Sequence, residues 1–489
     1  MSRRHYRRGS FGSHRGKRCI AQAQRGRFMR KKVLLLNPPG KKIYIRDYYC
    51  SKTSQADYIN HPVDFVVLSG ILSRDNDVSL IDAIVDRLSP EECLRRIVGL
   101  SPDAVIFLTG GVSWPEDREF LASARRAVPS AEFIGLGDIF REDAAKYLAE
   151  APFLSAVILD FTSDDAARYL AGERSGPANM VLAGAPPTVA PMRRGTSEFE
   201  IPVPRHELFI FKKYRYPFVR ASRFATVLSE YGCPFDCSFC VMGTLGHKIR
   251  KVSNVVEELE YILRLGVREI FFATQTFGAR RSYAVDLCRA IKPLNIGWTT
   301  FSRVDTVDEE VLSLMKEAGC HTIIFGIESG SGELLKRYRK GYDKERIRKI
   351  INLCADKGIE TVGTFILGLP EETRDTMRET LDFIAELPLD YASFNVAVPR
   401  AGTDLRKEAR AAGLAVADLS STMDQSGSEI AMNTKHLSRE EIQDFRRKAV
   451  RTFYLRPSYL LRRLASIRSQ GHFLGQLRQF AAMLGKTWG

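Results

Sequence analysis

Short apolar runs alternate with amphipathic stretches along residues 33–172. The runs are rich in Val, Ile and Leu, as in strands that are buried on both faces. The stretches between them repeat apolar residues at three- and four-residue steps, which is typical of helices. The pattern predicts strands at 32–37, 78–82, 104–109, 132–135 and 156–160, with helices at 62–72, 90–100, 116–127 and 142–150. Such alternation predicts a doubly wound parallel sheet, whose ligands lie outside the carboxyl ends of its strands.

A second alternation of strands and helices begins near residue 223 and continues to about residue 425. Six strands are predicted, at 224–231, 269–274, 297–303, 322–329, 361–368 and 391–399. Repeated parallel units of this kind predict a barrel with its active site at the carboxyl ends of the strands. Residues 173–222 are rich in Pro, Gly and Arg with weak periodicity, which predicts a linker between the two units.

Both ends of the chain are strongly basic. Residues 1–32 contain many Arg and Lys and no acid, which predicts a disordered tail. RNA or anionic membranes could bind such a tail, and translation could instead start at Met29, just before the first strand. The pattern of residues 426–489 predicts helices that carry Arg, aromatic residues and Leu. Packing on the barrel, contact with a membrane surface and RNA binding all remain open for them.

Composition narrows the class of protein. The 489 residues are 44% hydrophobic and carry a net charge of +15, and they contain no apolar run long enough for a transmembrane helix. No apolar stretch follows the basic start before residue 33, so we expect no secretory signal. The nine cysteines are an odd number and suit a reducing cytosol. We therefore expect a cytoplasmic protein, and peripheral contact with the inner face of the membrane stays open.

Three cysteines form the most informative motif of the chain. Cys233, Cys237 and Cys240 have the spacing C-x3-C-x2-C. Cysteine thiolates hold iron–sulfur clusters, and a four-iron cubane normally uses four of them. A compact loop with three cysteines leaves one iron open for a substrate or cofactor. We predict that these cysteines are the metal ligands of a 4Fe–4S cluster.

This loop, with the aromatic Phe239 before the third cysteine, resembles the radical S-adenosylmethionine (SAM) superfamily. The resemblance implies that the open iron binds SAM and that an electron cleaves it to methionine and a 5′-deoxyadenosyl radical. The cofactors then carry the difficult chemistry and the protein positions them. It also implies an open (β/α)6 partial TIM barrel.

The region before the loop resembles the class of this superfamily with an N-terminal cobalamin-binding, Rossmann-like domain. The resemblance rests on Asn37-Pro38-Pro39, on Asp82-Ala83 and on the strand entry at 102–105. The Asp-x-His-x-x-Gly motif of many cobalamin proteins is absent, so no residue here identifies a corrinoid by its chemistry. Cobalamin binding and an empty docking or substrate domain both remain open. The expected fold is α/β: a doubly wound sheet, a partial barrel and a helical C-terminal segment.

Strand ends of the barrel match cofactor contacts of the superfamily. The residues implied to bind SAM are Phe239, Thr274, Arg303, Glu328, Ser329, Ile366 and Gly368. Glu328 and Ser329 would contact the ribose or the amine, and Ile366 would pack on adenine. Arg303 could pair with the methionine carboxylate, since such forks are strong, or form a structural ion pair. No general acid or base can be named from spacing.

The resemblance implies cobalamin-dependent methyl transfer, or radical C–C bond chemistry, on an unactivated carbon of a small-molecule or lipid-like substrate. A flavodoxin or ferredoxin would donate the electron, and peripheral membrane contact is possible while nucleic acid is not expected. Two alternatives stay open, an RNA-modifying enzyme of the methylthiotransferase type and a non-catalytic iron–sulfur scaffold. Cys50 and Cys93 make a poor ligand set for the second cluster of methylthiotransferases.

Overall fold

The computed structural model describes residues 30–54, 58–174, 177–184, 195–415, 424, 426, 430–457 and 459–461. Most of the basic tail and the chain beyond residue 461 lie outside these residues, so the predictions for them are not addressed. Within the described residues, no helix is both long enough and apolar enough to cross a bilayer. The predicted α/β fold, a doubly wound sheet followed by a partial barrel, is confirmed.

The N-terminal half forms one six-stranded sheet and a small hairpin. Its elements are β1 (Lys32–Asn37), β2 (Tyr44–Ile45), β3 (Lys52–Thr53), α1 (Val63–Ser73), β4 (Asp77–Asp82), α2 (Pro90–Leu100), β5 (Ala104–Thr109), α3 (Trp114–Ala127), β6 (Glu132–Gly137), α4 (Asp138–Glu150), β7 (Leu154–Ile158), α5 (Asp165–Leu170) and β8 (Met180–Leu182). The strand order is β4-β1-β5-β6-β7-β8, and the first five strands are parallel.

Helices cover both faces of this sheet, which explains its uninterrupted apolar strands. Every residue of β5 is buried. Successive side chains of a strand point to opposite faces, so Ile106 lies in the core on one side and Phe107 in the core on the other. The last strand, β8, pairs antiparallel with β7 and comes from the segment predicted as a linker. Its three residues are too few for a periodic signal in the sequence.

The second half forms the partial barrel. Its elements are β9 (Thr196–Phe199), β10 (Ala225–Val227), β11 (Glu230–Gly232), β12 (His247–Arg250), α6 (Val252–Arg264), β13 (Glu269–Phe277), α7 (Arg281–Ile291), β14 (Gly297–Ser302), α8 (Glu309–Glu317), β15 (Cys320–Glu328), α9 (Gly332–Arg337), α10 (Lys344–Asp356), β16 (Glu360–Leu367), α11 (Arg374–Glu386), β17 (Tyr391–Val396), α12 (Asp404–Ala411) and α13 (Arg439–Tyr454). Six parallel strands follow one another in chain order, β10-β13-β14-β15-β16-β17.

The first predicted barrel strand, 224–231, divides into two. β10 pairs with β13 in the barrel sheet, whereas β11 pairs antiparallel with β12, which in turn pairs with β9. The break arises because β11 takes its backbone hydrogen bonds from β12 rather than from a barrel strand. The cysteine loop therefore follows β11, one short strand beyond the barrel sheet.

Aromatic and polar contacts join the two halves. The ring of Tyr48 stacks on that of Tyr231, with centroids 5.4 Å apart, and meets the ring of Phe161 edge-on at 4.8 Å. Nearby, Lys248 Nζ donates to Asp160 Oδ2 at 2.5 Å. These contacts bring the β2–β3 hairpin to the carboxyl ends of the barrel strands.

Candidate functional site

One cavity lies between the β2–β3 hairpin and the carboxyl ends of the barrel strands. Its empty space of about 1220 Å³ includes open solvent at its mouth. The hairpin contributes Tyr49, Cys50 and Lys52, and the barrel side contributes all three motif cysteines. The remaining lining residues used below are Phe239, Gln275, Thr276, Arg303, Gly326, Glu328, Lys340, Ile366 and Arg400.

Glycine at position 232 shapes the cysteine loop. Gly232 has a φ of +74°, and a Cβ there would lie 1.8 Å from the carbonyl oxygen of Gly246. Only glycine takes such a conformation and such a close approach readily. The turn lets the Cys233 N–H donate to the same Gly246 oxygen at 3.1 Å, and the Cys240 N–H donates to the Cys237 carbonyl at 3.0 Å. The loop thereby presents its three free thiols to the cavity.

The chemistry of this donor set fits a cluster better than a single ion. Among the described residues, no three His, Cys, Asp or Glu side chains converge as ligands of one ion would. A cubane differs, because each cysteine binds its own iron. Burial raises the pKa of the Cys240 thiol to about 12, so iron must displace its proton on binding.

Arg303, at the end of β14, contacts the cysteine loop directly. Its Nη1 donates to Cys237 Sγ at 3.1 Å. Nε and Nη2 donate to the two carboxylate oxygens of Asp305 at 2.9 and 2.7 Å, and Nη2 also donates to the Lys340 carbonyl at 2.5 Å. Burial opposes the charge, but the hydrogen bond to Asp305 and the attraction of Cys237 outweigh it, so the pKa of Arg303 is raised.

A buried ion pair lines the cavity beside Arg303. Lys340 Nζ donates to Glu328 Oε1 at 2.7 Å, and both residues are largely buried. Burial disfavours the ammonium, but Glu328, Tyr342 and Cys237 together outweigh it, so the pKa of Lys340 is raised. A Cβ on Gly326 would lie 2.4 Å from Glu328 Oε1 and 3.0 Å from Lys340 Nζ. Glycine at position 326 therefore leaves room for the pair.

Four of the seven predicted SAM-binding residues line the cavity together with the three cysteines. They are Phe239, Arg303, Glu328 and Ile366. Arg303 already uses four of its five N–H donors within the chain, so a methionine carboxylate can receive at most one of them, not a fork. The roles of Phe239, Glu328 and Ile366 toward SAM stay predictions.

The other three predicted residues, Thr274, Ser329 and Gly368, are not among the cavity-lining residues. Thr274 is fully buried, with its Oγ1 2.6 Å from Ser229 Oγ. Ser329 is buried with its Oγ 3.2 Å from Thr380 Oγ1. The Gly368 N–H donates to the Glu372 carboxylate, and the φ of Gly368 is +86°.

Two neighbours of Thr274 face the cavity instead. A register shift between Phe272 and Phe277 interrupts the alternation of β13, so that Gln275 and Thr276 both line the cavity. Thr276 Oγ1 lies 3.4 Å from Cys233 Sγ. A bulge of this kind leaves no composition signal, so the strand end alone does not show which of its threonines faces the cavity.

Sequence reasoning also missed the cavity residues of the hairpin and Lys340. Tyr49, Cys50 and Lys52 follow a two-residue strand and match no motif, and Lys340 lies in the turn after α9. One indication of these hairpin residues was available from the sequence, namely that ligands are expected at the strand ends of the N-terminal sheet. In the structure the hairpin covers those ends: Arg46 Nη1 donates to Asn37 Oδ1 at 2.8 Å.

A second contact fixes the hairpin over the sheet. The N–H and the hydroxyl of Ser51 each donate to Asp138 Oδ2 at 2.7 Å, at the end of β6. Arg400, after β17, lies 3.6 Å from the same carboxylate. The hairpin is therefore held against the strand ends of the N-terminal sheet, and from there Tyr49, Cys50 and Lys52 extend into the barrel cavity.

Comparison with protein families agrees with this geometry. The family model of the radical SAM superfamily matches residues 229–384. An uncharacterized methyltransferase, PH0819 of Pyrococcus horikoshii, is 30% identical over 424 residues, which cover 82% of this chain and 89% of that protein. Cytidylyl-2-hydroxyethylphosphonate methyltransferase of Streptomyces wedmorensis is 31% identical over 41% of this chain and 40% of its own length.

Two solved structures share the fold. TsrM of Kitasatospora setae, a radical SAM methyltransferase, has a TM-score of 0.61 at 19% identity, covering 80% of both chains, and its structure contains cobalamin and a [4Fe–4S] cluster. OxsB, a cobalamin-dependent SAM radical enzyme with aqua-cobalamin and SAM bound, has a TM-score of 0.66 at 16% identity, covering 94% of this chain and 71% of that one. At these identities the likeness establishes the fold alone.

Proposed function

Because the chain belongs to the radical SAM superfamily, we propose that it is a cobalamin-dependent radical SAM methyltransferase acting on an unactivated carbon of a small molecule. Membership makes it a radical SAM enzyme with a 4Fe–4S cluster and SAM as cofactors. Cobalamin, methyl transfer and the type of substrate are the proposal.

The observation that carries this proposal is the shared cavity. Residues of the β2–β3 hairpin line the same space as Cys233, Cys237 and Cys240. A group bound against the N-terminal half would therefore lie next to the cluster and SAM. A docking domain without a ligand has no need of a surface inside the cavity of the barrel.

The residues present fit a corrinoid at this place. The cavity opens between two halves of the chain, which is a preferred position for cofactor sites. No histidine is among its lining residues, so the described part of this cavity offers cobalt no imidazole ligand. Tyr49, Cys50 and Lys52 are the residues of the N-terminal half that would contact the corrinoid.

The chain's own residues position and enclose the reacting groups. The bound cofactors would supply a one-electron cleavage of SAM and a carrier for the methyl group. Cys233, Cys237 and Cys240 hold the cluster at one wall, and Arg303 contacts Cys237. The Glu328–Lys340 pair is held at the end of the neighbouring strand, β15, where Glu328 could still accept hydrogen bonds from SAM.

The polar lining of the cavity favours a polar substrate over a lipid-like one. Lys52, Arg303, Lys340 and Arg400 line it, and Glu328 is the one acidic residue among the lining residues. The argument for a lipid-like substrate or for membrane contact rested on the basic C-terminal segment, which is described only up to residue 461. A flavodoxin- or ferredoxin-type donor in the cytoplasm would supply the electron.

The test is an anaerobic assay with the reconstituted full chain, methyl-deuterated SAM, dithionite and hydroxocobalamin. We expect 5′-deoxyadenosine and deuterated methyl label in the corrinoid fraction, and we expect no label there without a functional cluster. The matched control is the triple variant Cys233→Ala, Cys237→Ala, Cys240→Ala. Formation of 5′-deoxyadenosine with no corrinoid binding and no label would overturn the cobalamin proposal.

The same assay, with the iron content of the reconstituted chain determined beside it, separates the two alternatives. A putative methylthiotransferase of Methanocaldococcus jannaschii, MJ0865, is 34% identical over 36% of this chain. An enzyme of that type would bind a second cluster, giving about twice the iron of one cubane per chain. A non-catalytic scaffold would hold iron but form no 5′-deoxyadenosine.

A further inference from the structure

Contacts within the chain alone hold Arg303 against Cys237. Arg303 is 5% exposed, and its guanidinium lies over the ring of Phe235, 3.8 Å from the centroid. Asp305 takes two of its N–H groups and the Lys340 carbonyl takes a third. These contacts fix the plane of the guanidinium, and the fixed plane directs Nη1 at the sulfur of Cys237.

Distance and exposure decide the sign of the field at the cluster site. Arg303 and Asp305 form an ion pair, so their charges cancel at long range. The positive end contacts the sulfur, whereas Asp305 lies on the other edge of the guanidinium. The Asp305 side chain is 23% exposed and that of Arg303 6%, so water screens the acid more. The pair therefore contributes a positive potential at Cys237.

We infer that Arg303 is a positioning residue for the cluster, which raises the reduction potential of the cluster through its hydrogen bond to the Cys237 thiolate. Hydrogen bonds to the cysteine sulfurs and nearby charge set the potentials of iron–sulfur clusters. Reduction adds one electron from an external donor and breaks no bond, so a fixed positive charge favours the reduced form. Reduction must precede the cleavage of SAM.

The test is an EPR-monitored redox titration of the anaerobically reconstituted full chain, with dithionite as reductant and without SAM, cobalamin or substrate. We expect Arg303→Gln to lower the equilibrium constant for reduction at least tenfold, which is a shift of about 59 mV for one electron. Arg303→Lys keeps the charge without the planar fork, so its midpoint potential should lie between those of the unchanged protein and Arg303→Gln.

The matched control is Arg339→Gln. Arg339 also lies near the loop, where its Nε donates to the Asp236 carbonyl at 3.0 Å, but its side chain is 47% exposed and it does not contact a cysteine sulfur. Water should screen its charge, so the potential should change little. Equal midpoints for fully loaded Arg303→Gln and Arg339→Gln would overturn the inference.

If Arg303→Gln takes up no iron, a second measurement on the unmodified protein tests the inference. We expect protein grown with ¹⁵N-arginine to show a nitrogen coupling to the reduced cluster by pulsed EPR, and its absence would also overturn the inference. Neither measurement involves methyl transfer. Failure of the proposed function therefore leaves this result standing, and failure here leaves the proposed function untouched.

Discussion

Buried charges around the cavity occur with partners. Arg303 has Asp305, and Lys340 has Glu328. A buried charge is costly unless it is paired, because the surroundings cannot solvate it as water does. Glu372, which does not line the cavity, has no ion-pair partner among the described residues. It is fully buried, the Gly368 N–H donates to its Oε2, and its Oε1 has no hydrogen-bond partner among the described residues.

Replacing this acid should change the pH dependence of folding. Burial raises the pKa of Glu372 from 4.5 to about 8. Between these values the folded state holds a proton that the unfolded state has released, so stability falls as pH rises through this window. Glu372→Gln should remove this fall, on the order of 2–3 kcal/mol between about pH 6 and about pH 8.5. The measurement is the urea midpoint at about pH 6 and about pH 8.5.

Glu371→Gln is the matched control for that experiment. Glu371 is the neighbouring residue, and its partly exposed side chain forms an ion pair with Lys435. We expect this variant to keep the pH dependence of the unchanged protein. If Glu372→Gln and the unchanged protein lose equal stability between the two pH values, Glu372 is not protonated in the fold.

At the scale of elements, the cysteine loop depends on the turn that precedes it. The position of the loop follows from β11 ending at Gly232, where the chain enters the left-handed region. The Gly246 carbonyl fills the space that a side chain would need. The three thiols can therefore face the cavity only if this turn is intact.

Gly232→Ala should remove the cluster. The added Cβ would lie 1.8 Å from the Gly246 oxygen, so the loop must move. Gly266→Ala is a matched control, because Gly266 has a similar φ of +78° but nothing within 4 Å of a Cβ. The control should cost about 1 kcal/mol and retain its iron. The measurement is iron content after reconstitution, and equal iron in both variants would contradict the role of the turn.

The sequence predicted elements with long periodic patterns and missed those that short contacts define. The five parallel strands of the N-terminal sheet and the six barrel units carry clear apolar patterns. β2, β3 and β8 have two or three residues each, too few for any period. The cysteine motif was identifiable because its spacing is visible in the sequence without any knowledge of tertiary contacts.

The rest of the site depends on tertiary contacts that spacing does not encode. Thr276 faces the cavity because β13 carries a bulge. Lys340 lines it because its ammonium pairs with Glu328 across twelve positions of the chain. Lys52 reaches it because the hairpin crosses the strand ends of the N-terminal sheet. Such residues can be assigned only once the packing is known.

At the scale of the whole molecule, the cavity exists because the two halves pack together. Tyr48 contributes to this packing from the hairpin through its contacts with Tyr231 and Phe161. Tyr231 precedes the cysteine loop by one residue, so the aromatic contact couples the hairpin to the cluster site. The Tyr48 hydroxyl is buried and has no hydrogen-bond partner among the described residues.

Two variants of Tyr48 separate packing from polarity. Tyr48→Ala should destabilise the protein by about 3–5 kcal/mol, since it removes a buried ring. Tyr48→Phe should be neutral or stabilising, because the hydroxyl is buried without a partner. The measurement is the thermal midpoint of the anaerobic protein. Equal midpoints for Tyr48→Ala and the unchanged protein would show that this contact does not hold the halves together.

The central claim is that one cavity holds the cluster and a corrinoid side by side. The most direct test is the iron and cobalt content of the full chain after anaerobic reconstitution with iron, sulfide and hydroxocobalamin. We expect about four irons and one cobalt per chain, and we expect the variant without the three cysteines to lose the iron but keep the cobalt. A chain that binds iron fully and no cobalt would contradict the account.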